Sequence, residues 1–362
     1  MISFNSQYLP PAFGFNNLGA TCYFNSLLQS LLTCTSLTEI FIKNKNNPKF
    51  KNNKVAMVYL SIIELFHENP FTIAHQQLIT KKSPELWRNM ILYLQNKKIY
   101  KSFGRGQEDT HEAFIMLMQC WENIDEINVL FEHTSHDNYF CSDCKKTKFT
   151  LNEMKNRKYD IIKTNWKRKS RAISTGNHAY QVENNDLGCI SYNTHFLIPH
   201  NFNSYFENNN ANNLQQYILC QQSIHEGVKC IHCNSIKNKL AYSNLAVIPE
   251  ILVIVIKKYR FNKDTRKGSK INYNTPLPRM MEFNAPHGKK HVYYPISQIL
   301  HSGGLHGGHY WAHTIRKVNN EYKWFDLNDR TVSSISNVQN FVPSAATYTI
   351  FYHKISNKNL SN

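Results

Sequence analysis

Two Cys-x-x-Cys pairs, Cys141/Cys144 and Cys230/Cys233, stand eighty-five residues apart. This is the spacing of two knuckles that each give two thiolates to one tetrahedral zinc ion. If they share an ion, the chain between them must leave and return to one point, which restricts the folds open to it. Four thiolates leave no position for water, so such a metal would be structural and implies no catalytic cofactor. The alternative is four reduced cysteines without metal. The total of nine cysteines is odd, and the start MISFNSQYLPPAFGF lacks the basic and apolar segments of a secretory signal. A disulfide framework is therefore disfavoured, and an intracellular compartment, cytoplasmic or nuclear, is expected.

The texture of the chain changes along its length. Leu27, Leu28, Leu31 and Leu32 recur at helical spacing after Cys22, so Cys22 would open a helix buried on its leucine face. Phe114, Leu117, Met118 and Trp121 predict a second helix over 109–121, with further helical segments over 55–66 and 85–94. From Leu245 onward strand signals dominate: ILVIVI, HVYYPISQIL, HYWAHTIR, YKWF and TYTIFY. The polar, basic stretch 165–186 has no hydrophobic period and reads as a loop. The longest apolar run, Ile251 to Ile256, is too short to span a bilayer. At 362 residues, with 41% hydrophobic and 13% aromatic side chains, the chain can bury a large core, as one lobed enzyme domain or about two domains.

The formal charge of +17 favours anionic partners, nucleic acid among them, although no nucleic-acid-binding motif accompanies it. Runs such as KNKNNPKFKNNK are also what an A/T-rich genome encodes, which fits a large DNA virus or a unicellular host.

Chemistry concentrates at three places. Cys22 would sit at a helix N-terminus, where backbone N–H groups favour a thiolate, after a glycine-containing turn from Gly14 to Thr21. Asp109 and Glu112, at i and i+3, would share one exposed helix face, suited to an arginine partner or simply complementing the helix dipole. His309 follows a glycine-rich turn, Gly303 to Gly308, at the start of a strand.

The string GFNNLGATCYFNSLLQ from Gly14 resembles the cysteine box of ubiquitin-specific proteases. GQEDTHEAF from Gly106 resembles that family's glutamine–aspartate box, and HSGGLHGGHYWA from His301 its histidine box. The three lie in the family's order across nearly the whole chain. The resemblance implies an α+β, papain-like cysteine peptidase with a helical thumb (13–128), β fingers bearing the zinc knuckles (129–244, basic insertion 165–186) and an antiparallel palm (245–355). Residues 1–12 and 356–362 would be an N-terminal extension and a C-terminal tail. It implies Cys22 as nucleophile, His309 as base and Asn17 as oxyanion donor. The residue that orients His309 lies, in the family, four positions after a tryptophan and four before a valine. In WFDLNDRTV this selects Asn328, with Asp329 assisting; Asp326 is the competing choice. Gln107, Asp109, Glu112, Gly307, Gly308 and Tyr310 would bind the ubiquitin tail. Cys141, Cys144, Cys230 and Cys233 would hold structural zinc.

The function implied is hydrolysis of the bond after the C-terminal glycine of ubiquitin through a Cys22 thioester, with ubiquitin and ubiquitinated proteins as partners and no membrane. A catalytically weak ubiquitin-binding module, or a peptidase for a ubiquitin-like modifier, are the alternatives. Two departures from the family pattern are Ala113, at a commonly aromatic position, and the extra residue in KKYRF after the ILVIVI strand.

Overall fold

The computed structural model describes residues 8–67, 73–96, 106, 108–131, 134–141, 143–144, 198–201, 220–225, 229–236, 239–247, 249–262, 267–270, 279–284, 290–304, 307–318, 321–336 and 345–355. Gln107 and the insertion 165–186 lie outside them, as do residues 1–7 and 356–362. The chain divides into two compact units: 1–131 with 196–210 and 250–362, and 132–195 with 211–249.

The first unit opens with helices α1 (Cys22–Thr33), α2 (Thr35–Lys43), α3 (Pro48–Lys51), α4 (Lys54–His67), α5 (Ile73–Asn96), α6 (Thr110–Cys120) and α7 (Asp125–Phe131). The leucine spacing after Cys22 predicts a one-sided burial, but all twelve residues of α1 are buried. Its polar face is accommodated by internal hydrogen bonds: Ser26 to the Tyr23 carbonyl at 2.9 Å, Ser30 to that of Ser26 at 2.9 Å and Thr33 to that of Gln29 at 2.8 Å. Phe41, Phe50, Tyr59 and Trp121 close the core beneath α2 with edge-to-face contacts, the Phe41 ring lying 4.8 to 5.3 Å from the other three. The segment 85–94 is the second half of the longer α5, which runs through Pro84.

The strands number thirteen among the described residues. In the first unit β2 (Ile198–Asn201), β5 (Ile251–Lys257), β8 (Met281–Asn284), β9 (Lys290–Gly303), β10 (Gly308–Val318), β11 (Glu321–Asn328), β12 (Thr331–Ile335) and β13 (Thr347–Ile355) form one sheet in the order β12-β11-β10-β9-β13-β5-β2, with β8 also on β9. All its pairs are antiparallel except β2 with β5. β6 (Tyr259–Asn262) and β7 (Lys267–Lys270) form a separate hairpin. ILVIVI becomes β5, buried throughout from Ile251 to Ile256, as an unbroken apolar run in a central strand requires.

The second unit contributes β1 (Thr134–Cys141), β3 (Cys220–His225) and β4 (Lys239–Val247), a three-stranded antiparallel sheet in the order β1-β4-β3. No described helix is long and apolar enough to cross a membrane.

Candidate active site

α1 lies along β10, with Cys22 at its head. Thr21 precedes it without a side-chain cap to the first turn, its hydroxyl instead accepting from Leu18 N–H at 2.9 Å. The backbone N–H groups of Cys22 and Tyr23 face the sulfur, and the N–H of Tyr310 on β10 joins them. Cys22 is only 2% exposed. Burial pushes its thiol above the ordinary value, with the Asp329 charge adding to it, and the Tyr310, Tyr23 and Cys22 N–H groups offset only part of this. The helix terminus alone was expected to lower this pKa; desolvation outweighs it. A thiol this dry needs an imidazole to take its proton.

His309, one residue into β10, has its Nε2 at 2.6 Å from Asn328 Oδ1 at the end of β11. An amide oxygen only accepts, so the proton is on Nε2 and Nδ1 keeps its lone pair for a base's role. Asp329 Oδ2 stands 4.0 Å from the same Nε2. Asp326, the competing residue, instead lies 3.7 Å from His313 Nε2. His309 and Trp311, on the same strand face, are stacked at 6.2 Å.

Asp329 organises more of the site than its assisting role in the sequence suggests. It begins the two-residue turn between β11 and β12 at φ 48°, a left-handed conformation that aspartate tolerates. Its carboxylate accepts from Asn17 Nδ2 at 2.9 Å and Asn25 Nδ2 at 2.7 Å, and its carbonyl from Phe15 N–H at 2.7 Å. Asn17 is oriented by Thr21, whose N–H donates to Asn17 Oδ1 at 3.2 Å. Asn25 is oriented by Trp87, whose Nε1 donates to Asn25 Oδ1 at 2.6 Å. Both amide groups must therefore present NH2 to residue 329, and a carboxylate is the side chain that can accept on both sides. A Cβ at Gly14 would overlap the Asp329 and Arg330 carbonyls, which accounts for glycine there. Asn25 and Trp87 are missed by sequence reasoning; neither has a local pattern that points to the site.

The placement of Asp109 and Glu112 needs correction. Asp109 and Glu112 do not form a shared exposed face. α6 begins at Thr110, and Asp109 is its N-cap, with Oδ1 accepting from His111 N–H at 2.7 Å and Oδ2 from the Tyr348 hydroxyl. Glu112 is half-buried in the first turn, and burial raises its pKa, with Asp109 and Glu108 adding repulsion. The carboxylate at the N-cap satisfies helix N–H groups, which explains why it turns inward. The Tyr310 ring is likewise buried, 4.3 Å from His301 and 5.8 Å from Tyr348, so its backbone is the part that meets Cys22.

Gly303 and Gly308 pair across the β9–β10 turn, Gly303 at φ 119°, with Gly304 N–H bonded to the Gly307 carbonyl at 2.9 Å. A Cβ at Gly308 would collide with the His301 ring. Lys270 Nζ holds this turn from below, 3.1 Å from the carbonyls of His301 and Gly303 and 3.2 Å from His301 Nδ1. Burial, with Lys270, Lys258 and His309 adding to it, lowers His301 to about 4 and so keeps it neutral.

In the second unit the four cysteine sulfurs all lie within 4.8 Å of one another, with Cys141 to Cys233 at 3.7 Å and Cys144 to Cys230 at 3.8 Å. Zn–S bonds of about 2.3 Å in a tetrahedron require S···S separations of about 3.8 Å, so the cluster fits a zinc ion. Backbone N–H groups face the sulfurs as in a knuckle: His232 N–H donates to Cys230 Sγ at 3.4 Å, and those of Cys144 and Asp143 help lower Cys141 to about 6.

A buried cysteine at a helix head, laid against an antiparallel sheet whose strands carry a histidine and an asparagine, is the fold of papain-like cysteine peptidases. The ubiquitin carboxyl-terminal hydrolase profile matches residues 13–352, and the chain belongs to that family. Ubiquitin carboxyl-terminal hydrolases 5 and 10 of Arabidopsis thaliana are each 26% identical to it, over 131 and 129 residues, 35% of this chain. The matched stretch spans only 14% of either relative. Among solved structures, the Ubp8/Sgf11/Sus1/Sgf73 SAGA DUB module bound to monoubiquitin is similar with a TM-score of 0.68 at 15% identity, covering 98% of this chain and 72% of that one. A yeast SAGA DUB module with an Sgf73 variant matches at 0.64 and 14% identity, covering 98% and 71%.

Proposed function

We propose that this protein is a cysteine-type deubiquitinase that hydrolyses the bond after the C-terminal glycine of ubiquitin. The observation that carries the reading is His309, its Nε2–H fixed on Asn328 at 2.6 Å, on the strand whose next N–H faces the Cys22 thiol. His309 Nδ1 takes the Cys22 proton as Sγ attacks the glycine carbonyl carbon. The Cys22 N–H and the second N–H of the Asn17 amide receive the oxyanion, a donor of this kind contributing about 3 kcal/mol. Collapse releases the amine, which takes the proton from His309, and leaves a thioester. Water then attacks the thioester as Nδ1 accepts its proton, and the Cys22 sulfur departs as the carboxylate forms. Asn328 and Asp329 position the ring and do not exchange protons.

Ubiquitin is the substrate the family points to, and the SAGA module seen with monoubiquitin shares the fold. Asp109 and Glu112 retain acceptor sites for a basic tail, and Gly307 and Gly308, lacking side chains, would let a thin one pass close to the backbone. Cys141, Cys144, Cys230 and Cys233 hold a structural zinc that braces the second unit.

The test is the intact mass of the protein after incubation with ubiquitin bearing a C-terminal electrophile, beside Cys22→Ala. One added ubiquitin, lost in the variant, is expected; an unmodified wild-type mass, or an adduct that persists in Cys22→Ala, overturns the reading.

A further inference from the structure

Arg316 is completely buried near the far end of β10, and none of its bonding partners among the described residues is a carboxylate. One terminal nitrogen donates to Thr33 Oγ1 at 2.6 Å and to the Ile315 carbonyl at 2.9 Å. The other donates to Gln29 Oε1 at 2.6 Å and the Gln29 carbonyl at 3.2 Å. Its Nε has no partner among the described residues. The Gln29 amide in turn donates to the Phe13 carbonyl at 2.5 Å. One guanidinium thus joins α1 with Cys22 to β10 with His309, and through Gln29 reaches the irregular segment that leads to Asn17.

The geometry gives this clamp leverage. From Cys22 to Gln29 and Thr33, α1 advances about 10 to 17 Å, and from Tyr310 to Arg316 the strand advances about 20 Å. The two elements run side by side, touching at Cys22 and Tyr310 at one end and at Thr33 and Arg316 at the other. Ser30, which accepts from Ser297 at 2.8 Å, ties α1 to the neighbouring strand β9 by a neutral bond and not to β10. Burying a cation without an opposing charge costs stability that an apolar side chain of like size would not lose. What a planar fork supplies instead is direction: three α1 oxygens must lie in its reach at once.

We propose that Arg316 is a positioning residue whose guanidinium fixes the register of α1 along β10 and so sets the distance between Cys22 Sγ and the His309 ring. The inference rests on the deubiquitinase reading for its substrate but not for its geometry. A register slip of about 1 Å costs about a hundredfold in rate.

Arg316→Met, Arg316→Lys and the isosteric Thr33→Val test it, with kcat and KM measured on a fluorogenic ubiquitin C-terminal amide and folding followed by circular dichroism. Arg316→Met should lose about a hundredfold in kcat with KM within about twofold. Arg316→Lys should not rescue it, since an ammonium has no fork. Thr33→Val, which removes one acceptor, should lose about three- to tenfold. If Arg316→Met does not fold, the other two decide. A kcat within about twofold of wild type in both, or a loss matched by the unfolded fraction at the assay temperature, overturns the proposal. Alkylation of Cys22 by iodoacetamide, resolved by peptide mass, needs no ubiquitin. Were the wild type inert to the ubiquitin electrophile, the substrate reading would fail, while slower Cys22 alkylation in the order Met, Lys, Val would still uphold Arg316 and equal rates would refute it.

Discussion

The two positioning residues of His309 should differ in weight, and in the order opposite to their distances. Asn328 makes one neutral hydrogen bond to Nε2 at 2.6 Å, worth about 0.5–1.5 kcal/mol net, or about three- to tenfold in rate. Asp329 Oδ2 is farther, at 4.0 Å, but charged. Two unit charges at 4 Å interact by about 4 kcal/mol at an effective dielectric constant of 20. With the His309 side chain 40% exposed, solvent screens this to about 1–2 kcal/mol, or about five- to thirtyfold, felt only while the ring is an imidazolium. Asp329→Asn also leaves one of the Asn17 and Asn25 amides facing a nitrogen, which costs about 1 kcal/mol more and tilts the Asn17 amide. Asp329→Asn should therefore reduce kcat by about thirty- to a hundredfold, and Asn328→Ala by about three- to tenfold. Asp326→Ala, whose carboxylate serves His313, should stay within about threefold. The assay is the initial rate of fluorophore release from a ubiquitin C-terminal amide across pH 6 to 9. An Asn328→Ala loss exceeding that of Asp329→Asn refutes the electrostatic argument, and a severe loss in Asp326→Ala alone refutes the assignment of both.

Purified protein should contain about one zinc per chain by elemental analysis, and Cys233→Ser or prolonged chelation should lower the melting temperature by several degrees; metal-free protein with an unchanged melt removes the zinc site. Burial lowers both His67 and His301 to about 4, so the unfolded chain, titrating near 6.5, binds more protons between those values. Stability should hold above pH 6.5 and fall as pH drops toward 4, by about 1.4 kcal/mol per pH unit for each histidine, and a urea midpoint flat over that range contradicts it. Gly308→Ala should force the β9–β10 turn away from the His301 ring and reduce kcat/KM at least tenfold, checked by the same fluorogenic assay; unchanged kinetics would mean the turn absorbs a methyl group.

What could be read from the sequence divides along a physical line. The elements that carry Cys22 and His309 are legible because each follows from its neighbours in sequence: a leucine period that makes a helix start, and a glycine turn into a strand. The strands β5, β9, β10, β11 and β13 are legible for the same local reason. Hydrophobic period misjudged α1, because a helix with Asn25, Ser26, Gln29, Ser30 and Thr33 on one side looks half-exposed until the partners of those groups are known. For Asn25, Gln29, Ser30 and Thr33 they include Trp87, Asp329, Arg316 and Ser297, between 62 and 304 residues away in the chain, while Ser26 bonds within the helix. Asp109 failed in the opposite sense: an acid at a helix start reads as surface charge, and only the Tyr348 hydroxyl, 239 residues on, shows that the carboxylate is turned inward. Polar side chains in a buried helix are therefore the most informative positions in this fold and the least legible ones. Most mark a place where a distant segment must arrive with one particular donor or acceptor, and in this chain those arrivals converge on the two ends of α1: Asp329 at the head, beside Cys22 and His309, and Arg316 at the tail. A neutral, leucine-faced α1 could pack on the same sheet at several registers. The two charged anchors, one anionic and one cationic, leave it one.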